Sequence, residues 1–194
     1  TISHFAFEEA LLESAGVEGV LVLPFTHELA GLEPADFIEQ LVRAVPSLRA
    51  MVVGANWTFG HRARGNPRLL EDLAGAANFS VAVVPALAWQ GAPISSTRVR
   101  RAVEAGRLAD AEAMLGRPFS LLGQVVPGRQ FGRTLGFPTA NIRPENEVTP
   151  PPGVYAAEFA VGDRCLPGAA FRPEDGAPGG MILEIHLLDF TGDL

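Results

Sequence analysis

The chain has 194 residues and a formal net charge of −7, and 47% of it is hydrophobic, enough apolar material for a real core. All 15 bases are Arg, and they are clustered: residues 1–42 carry −8, residues 43–143 carry +8 and residues 144–194 carry −7. The acidic whole argues against a general nucleic-acid coat protein, although the +8 middle keeps a nucleic-acid binder as a rival reading; no apolar run is long enough to span a bilayer, and the single Cys165 excludes an internal disulfide or a Cys-rich zinc site.

The predicted elements begin with a surface helix over residues 5–15, where Phe5, Leu11 and Leu12 sit among acids and Gly16 ends the run. Val20-Leu21-Val22-Leu23, stopped by Pro24, predicts a buried parallel strand. Pro34 opens a helix with Phe37, Ile38, Leu41, Val42 and Val45 on one face. Met51-Val52-Val53 predicts a second buried strand. Asn66-Pro67 supplies an N-cap and N1 proline for a helix with Leu69, Leu70 and Leu73 on its apolar face. Residues 79–84 predict a third strand. Ser95-Ser96-Thr97 caps a helix running to about Ala105, and a short helix over residues 108–115 stops at Gly116. Such alternation predicts an open parallel sheet with helices on its faces.

Near Arg117-Pro118 the pattern changes. Residues 121–126, 154–161, 164–166 and 181–190 predict strands separated by Gly- and Pro-rich turns. The expected fold class is therefore α/β plus all-β. Residues 1–116 form the first domain, and residues 117–194 form a small antiparallel barrel or sandwich.

Three motifs carry chemistry. Gly54-Ala55-Asn56-Trp57-Thr58-Phe59-Gly60 follows a strand, where open parallel sheets bind ligands, but its bland reading is a Gly-rich turn with a packed Trp57. Ile94-Ser95-Ser96-Thr97-Arg98-Val99-Arg100-Arg101 puts hydroxyls and guanidinium groups at a helix N-terminus. That combination suits phosphate, and equally an ordinary capped basic helix. In Gly132-Arg133-Thr134-Leu135-Gly136-Phe137-Pro138-Thr139-Ala140-Asn141 the glycines and Pro138 oppose a strand and predict a rigid loop. There Thr139 and Asn141, two apart, can aim two hard oxygens the same way, as Mg²⁺ shared with phosphate requires.

This last stretch closely resembles the phosphate- and metal-binding signature of riboflavin kinases. The other two motifs resemble the adenylyltransferase half of bacterial bifunctional FAD synthetases. Their order, their spacing and the linking Leu115-Gly116-Arg117-Pro118-Phe119 extend the resemblance over nearly the whole chain. It implies a Rossmann-like nucleotidyltransferase domain followed by a riboflavin-kinase β-barrel, acting in FAD biosynthesis. ATP would phosphorylate riboflavin to FMN at the barrel. A second ATP would adenylylate FMN to FAD at the sheet, releasing pyrophosphate.

By the same resemblance Thr139 and Asn141 bind Mg²⁺ and the ATP phosphates. Gly132, Arg133, Gly136 and Pro138 belong to that loop. Glu184, in Leu183-Glu184-Ile185-His186, is the general base; without the resemblance it reads as a solvent-facing strand acid. Ser95, Ser96, Thr97 and Arg98 hold phosphates in the other site, and Asn56 contacts nucleotide. The implied partners are small molecules, with no nucleic acid and no membrane, and the expected location is the cytoplasm. The four His have no metal-ligand spacing and read as packing or surface residues.

The chain also departs from the family pattern. The early His-x-Gly-His motif is missing, together with the first strand. Ala169-Ala170-Phe171-Arg172-Pro173 keeps a trace of the family's Asn-Ile-Gly and Arg-Pro-Thr segment, and a closing helix would follow Leu194. The resemblance therefore implies a longer polypeptide, with the adenylyltransferase site incomplete in these 194 residues. The alternative is a non-catalytic flavin- or nucleotide-binding module derived from the family.

Overall fold

The computed structural model describes residues 5–127, 139–161, 164–174, 181–188 and 190. Helix α1 (Phe5–Ser14) comes first in the chain, and Gly16 follows it at φ 86°. Val20–Ile94 forms one compact unit, and the rest of the described chain forms the other.

In the Val20–Ile94 unit, each helix starts where its cap lies. Thr26 accepts from the Leu29 N–H (3.1 Å) to open α2 (His27–Gly31). Pro34 opens α3 (Pro34–Ala44), where its missing N–H costs nothing. Asn66 accepts from the Leu69 N–H (3.0 Å) to open α4 (Pro67–Ala77), which ends at a left-handed Asn78. Strands β1 (Ala50–Gly54) and β2 (Ser80–Val84) pair in parallel, Val52 opposite Ala82, with α4 as their crossover. A hairpin of β3 (Ala88–Trp89) and β4 (Ala92–Pro93) turns at Gln90 and Gly91, both at positive φ. The core is Ile38, Val53, Phe59, Leu70, Ala74 and Phe79.

The expected strand over residues 20–23 does not form a ladder among the described residues. Leu21 and Val22 are 65% and 58% exposed. Apolar residues ready a segment for a sheet, but a strand exists only where a neighbour takes its backbone groups. Met51-Val52-Val53 does form its expected strand, but it is covered on one side only: Val53 is buried, whereas Val52 is 68% exposed.

In the other unit, α5 (Ser96–Glu104) packs against α6 (Leu108–Leu115) through Val99, Ala102, Val103, Ala111 and Met114. The three apolar positions of α5 fall at the spacing of one helical face. Gly116, left-handed at φ 70°, closes α6 as expected. The strands are β5 (Gly123–Val126), β6 (Ala140–Pro144), β7 (Gly153–Val161), β8 (Arg164–Arg172) and β9 (Leu183–Leu187). They form one antiparallel sheet in the order β5-β6-β9-β8-β7. Among the described residues β5 and β7 do not pair, so the expected barrel is an open sheet there. Buried Asn146 ties the approach to β5, accepting from the Leu122 N–H (2.8 Å) and donating to the Ser120 carbonyl (3.4 Å).

Two boundaries differ from expectation. β8 extends to Arg172, well past residue 166, because its whole length pairs with β7. Asn141 lies inside β6, where a loop was expected.

Candidate active site

Alternation in β9 decides which side chains can meet a ligand. Leu183, Ile185 and Leu187 are buried, so Glu184 and His186 point to the opposite, open face. Glu184 is exposed and His186 half-buried. The ladder places Asn141 of β6 directly opposite Glu184 on one side and Phe171 of β8 directly opposite on the other. Paired residues share a face, with Cβ atoms about 5 Å apart.

The row continues to both edges of the sheet: Val126, Asn141, Glu184, Phe171, Val154. Phe171 is 42% and Val154 71% exposed, so the carboxylate has an amide on one flank and an uncovered apolar strip on the other. Thr139 immediately precedes β6 and is half-buried. Such a face can accept a proton at Glu184, present neutral oxygens at Thr139 and Asn141, and seat a flat apolar group against Phe171. Gly132, Arg133, Gly136 and Pro138 lie outside the described residues.

The other two motifs have their own local geometry. Ser95 is the N-cap of α5, and its hydroxyl accepts from the Arg98 N–H (3.3 Å). Ser96 and Thr97 are exposed at that end of the helix, and Arg98 is half-buried. Asn56 is exposed in the turn after β1, closed by the Trp57 N–H donating to the Gly54 carbonyl (3.0 Å). Trp57 stacks on Phe59 with ring centroids 4.5 Å apart, so the packed-tryptophan reading of that residue holds. Asn56 belongs to the Val20–Ile94 unit, and Ser95, Ser96, Thr97 and Arg98 to the other.

Residues 2–98 match the family model described as FAD synthetase. The chain belongs to that family. Residues 115–194 of this FAD synthetase family member match a second model, described as riboflavin kinase. Relatives named bifunctional riboflavin kinase/FMN adenylyltransferase include those of Escherichia coli (strain K12) and Pseudomonas fluorescens. The first is 37% identical over 186 residues, covering 94% of this chain and 59% of that one. The second is 34% identical over 192 residues, covering 97% and 62%. The chain thus spans about three fifths of the length of the curated relatives it matches. A crystal structure of a macrolide-efflux protein from Streptococcus pneumoniae superposes with a TM-score of 0.86 at 29% identity, covering 99% of this chain and 62% of that one.

Sequence reasoning missed Phe171 and Val154 as neighbours of Glu184. The period-2 pattern of residues 153–161 puts Val154 on the outward face, but nothing in one strand says which residue of another will face it.

Proposed function

We propose that the protein acts in FAD biosynthesis, as a transferase with two ATP-dependent steps. Riboflavin and ATP give FMN and ADP at the open face of the antiparallel sheet. FMN and ATP give FAD and pyrophosphate in the adenylyltransferase half. The observation that carries this reading is the Asn141–Glu184 pair, a carboxylate and an amide held side by side on an open sheet face. The functional halves are residues 1–116 and 117–194.

In the kinase step Glu184 accepts the proton of the riboflavin 5′-hydroxyl as that oxygen attacks the γ-phosphorus of ATP; the bond to the β–γ bridging oxygen breaks and ADP leaves. Thr139 and Asn141 offer neutral hard oxygens, the donor set that fits Mg²⁺ shared with nucleotide phosphates. Bound Mg²⁺ supplies neutralisation of phosphate charge. The exposed Phe171 and Val154 suit the flat apolar ring of a flavin.

In the adenylyl step the FMN phosphate attacks the α-phosphorus of ATP, so no protein nucleophile is required. Arg98 and the N-terminal donors of α5, with Ser96 and Thr97, hold phosphates. Ser95 contributes by fixing the start of that helix; Asn56, in the other compact unit, is a separate candidate for contact with a nucleotide. Partners are small molecules, with no nucleic acid, and the location is the cytoplasm. No helix among the described residues is long and apolar enough to cross a membrane.

The test is direct. The full-length protein with riboflavin and Mg-ATP is followed by chromatography for FMN and FAD. Formation of both in sequence is expected. Flavin and ATP binding without turnover would leave only a binding module.

A further inference from the structure

The segment joining β1 to α4 stores backbone strain where no glycine sits. Arg62 (φ 55°, ψ 31°) and Ala63 (φ 55°) are both left-handed, a conformation that Gly or Asn adopts at much lower cost. Such strain persists only where the surroundings enforce it, and they do here. Phe59 and Gly65 exchange backbone hydrogen bonds across the base of the loop, N–H to carbonyl in both directions (3.2 and 2.8 Å). The His61 N–H donates to the Leu32 carbonyl (2.6 Å), and its Nδ1 lies 3.2 Å from the Ala30 carbonyl. Arg64 Nη1 donates to both carboxylate oxygens of Glu33 (3.0 and 3.2 Å). The glycines are braced as well: a Cβ on Gly60 would stand 2.7 Å from the Pro34 backbone, and one on Gly65 2.7 Å from the Phe59 ring.

The loop carries one uncommitted cation. Residues 54–66 contain two Arg and no Asp or Glu. Arg64 is neutralised by Glu33, whereas the exposed Arg62 has no ion pair or side-chain hydrogen bond among the described residues. The position is also one where ligands meet parallel sheets. The Ala55 N–H donates to the Val84 carbonyl (2.8 Å), so the loop leaves from the C-terminal ends of both β1 and β2, with exposed Asn56 in its first turn.

We infer that Arg62 is a phosphate-binding residue of the FAD-forming step, its guanidinium taking phosphate oxygens of the nucleotide or of the flavin. This rests on the adenylyltransferase reading of that half. Both substrates of the step are phosphate anions, and Arg binds such groups through a planar fork that stays charged at any working pH. A braced loop reduces the ordering required when the anion arrives. For the fold alone, Gly at position 62 would serve better, because it meets no penalty in the left-handed region.

The test follows FAD formation from FMN and ATP by the full-length protein, with FMN formation from riboflavin as the control and a urea midpoint for each variant. Arg62→Gly should raise KM for ATP or for FMN about tenfold, the scale of a hydrogen bond to a charged group, and the KM that moves names the source of the phosphate. Its urea midpoint should equal or exceed the parent's, because glycine relieves the left-handed backbone. FMN formation should stay within about twofold, too small a change for a lost hydrogen bond. Ala63→Gly relieves the same kind of strain without removing a charge, and should leave both KM values within about twofold. Unchanged KM values in Arg62→Gly, a matching loss in Ala63→Gly, or a lowered midpoint that accompanies the loss would each overturn the assignment. A parent that makes no FAD would sink the adenylyltransferase reading instead. Pyrophosphate titrated calorimetrically into parent and Arg62→Gly needs no turnover and then judges Arg62 alone: weaker binding in the variant upholds the assignment, and equal affinities overturn it.

Discussion

Asn141 and Glu184 face each other across the β6–β9 ladder, forty-three positions apart in the chain, on the uncovered side of a sheet whose other side is packed with Leu183, Ile185 and Leu187. The backbone register itself sets their separation. Neither backbone position can shift without moving a strand of that sheet. For the roles proposed for Glu184 and Asn141, such pre-setting lowers the ordering required when substrates arrive.

Replacing Glu184 by Ala should lower kcat for FMN formation by about a hundredfold or more, the scale of a positioned base. The riboflavin KM should change little, because Phe171 and Val154 remain. Steady-state kinetics on the full-length protein decides it, and an unaltered kcat would remove the base assignment.

Asn141→Ala and Thr139→Ala should each shift the Mg²⁺ dependence of FMN formation to higher concentration at fixed ATP. Superimposable Mg²⁺ titrations for variant and parent would show that these oxygens do not share the cation.

Arg98→Ala should slow FAD formation while leaving FMN formation intact. Ser95→Ala acts differently: it removes the hydroxyl that caps α5, costing about 1 kcal/mol of stability. A thermal melt separates the two effects. A parallel fall of both activities in Arg98→Ala would contradict the division into two sites.

Cys165 reports on the β7–β8 hairpin. Partial loss of water at the sheet surface raises its thiol above the usual range, although the side chain still reaches solvent. The charge of Glu158 acts in the same direction, as does the hydrogen bond its carboxylate accepts from Sγ (3.6 Å). A raised value means less thiolate at a given pH, so alkylation at pH 8 should be slower than for free cysteine and should accelerate in Glu158→Gln. A pH–rate profile identical to free cysteine would refute this.

Asn146→Ala leaves the half-buried Leu122 N–H without the acceptor that the buried Asn146 supplies. A loss of about 2 kcal/mol is expected, read as a lower midpoint in urea. A midpoint equal to the parent's would mean that another group replaces the amide oxygen.

Much of this arrangement was legible in local chemistry. Thr26 aside, the caps at Ser95 and Asn66, the N1 proline at Pro34 and the stop at Gly116 mark helix ends because each satisfies or spares a specific backbone group. Alternation in Leu183-Glu184-Ile185-His186 marks the faces of β9. Partners across strands were not legible, since register depends on contacts far apart in sequence. That is why Val20-Leu21-Val22-Leu23 read as a strand and yet has no ladder among the described residues. It is also why Phe171, an unremarkable residue in its own segment, was not seen beside Glu184.

The strand order has a consequence for when the site can exist. β9 is inserted between β6 and β8, though it comes later in the chain than either. During synthesis the β7–β8 hairpin can close by local contacts, but β6 and β8 have no common neighbour until β9 emerges. The acid, the amide and the aromatic ring therefore come together in a single docking event. A nascent chain should pass from having no Asn141–Glu184–Phe171 row to having a whole one.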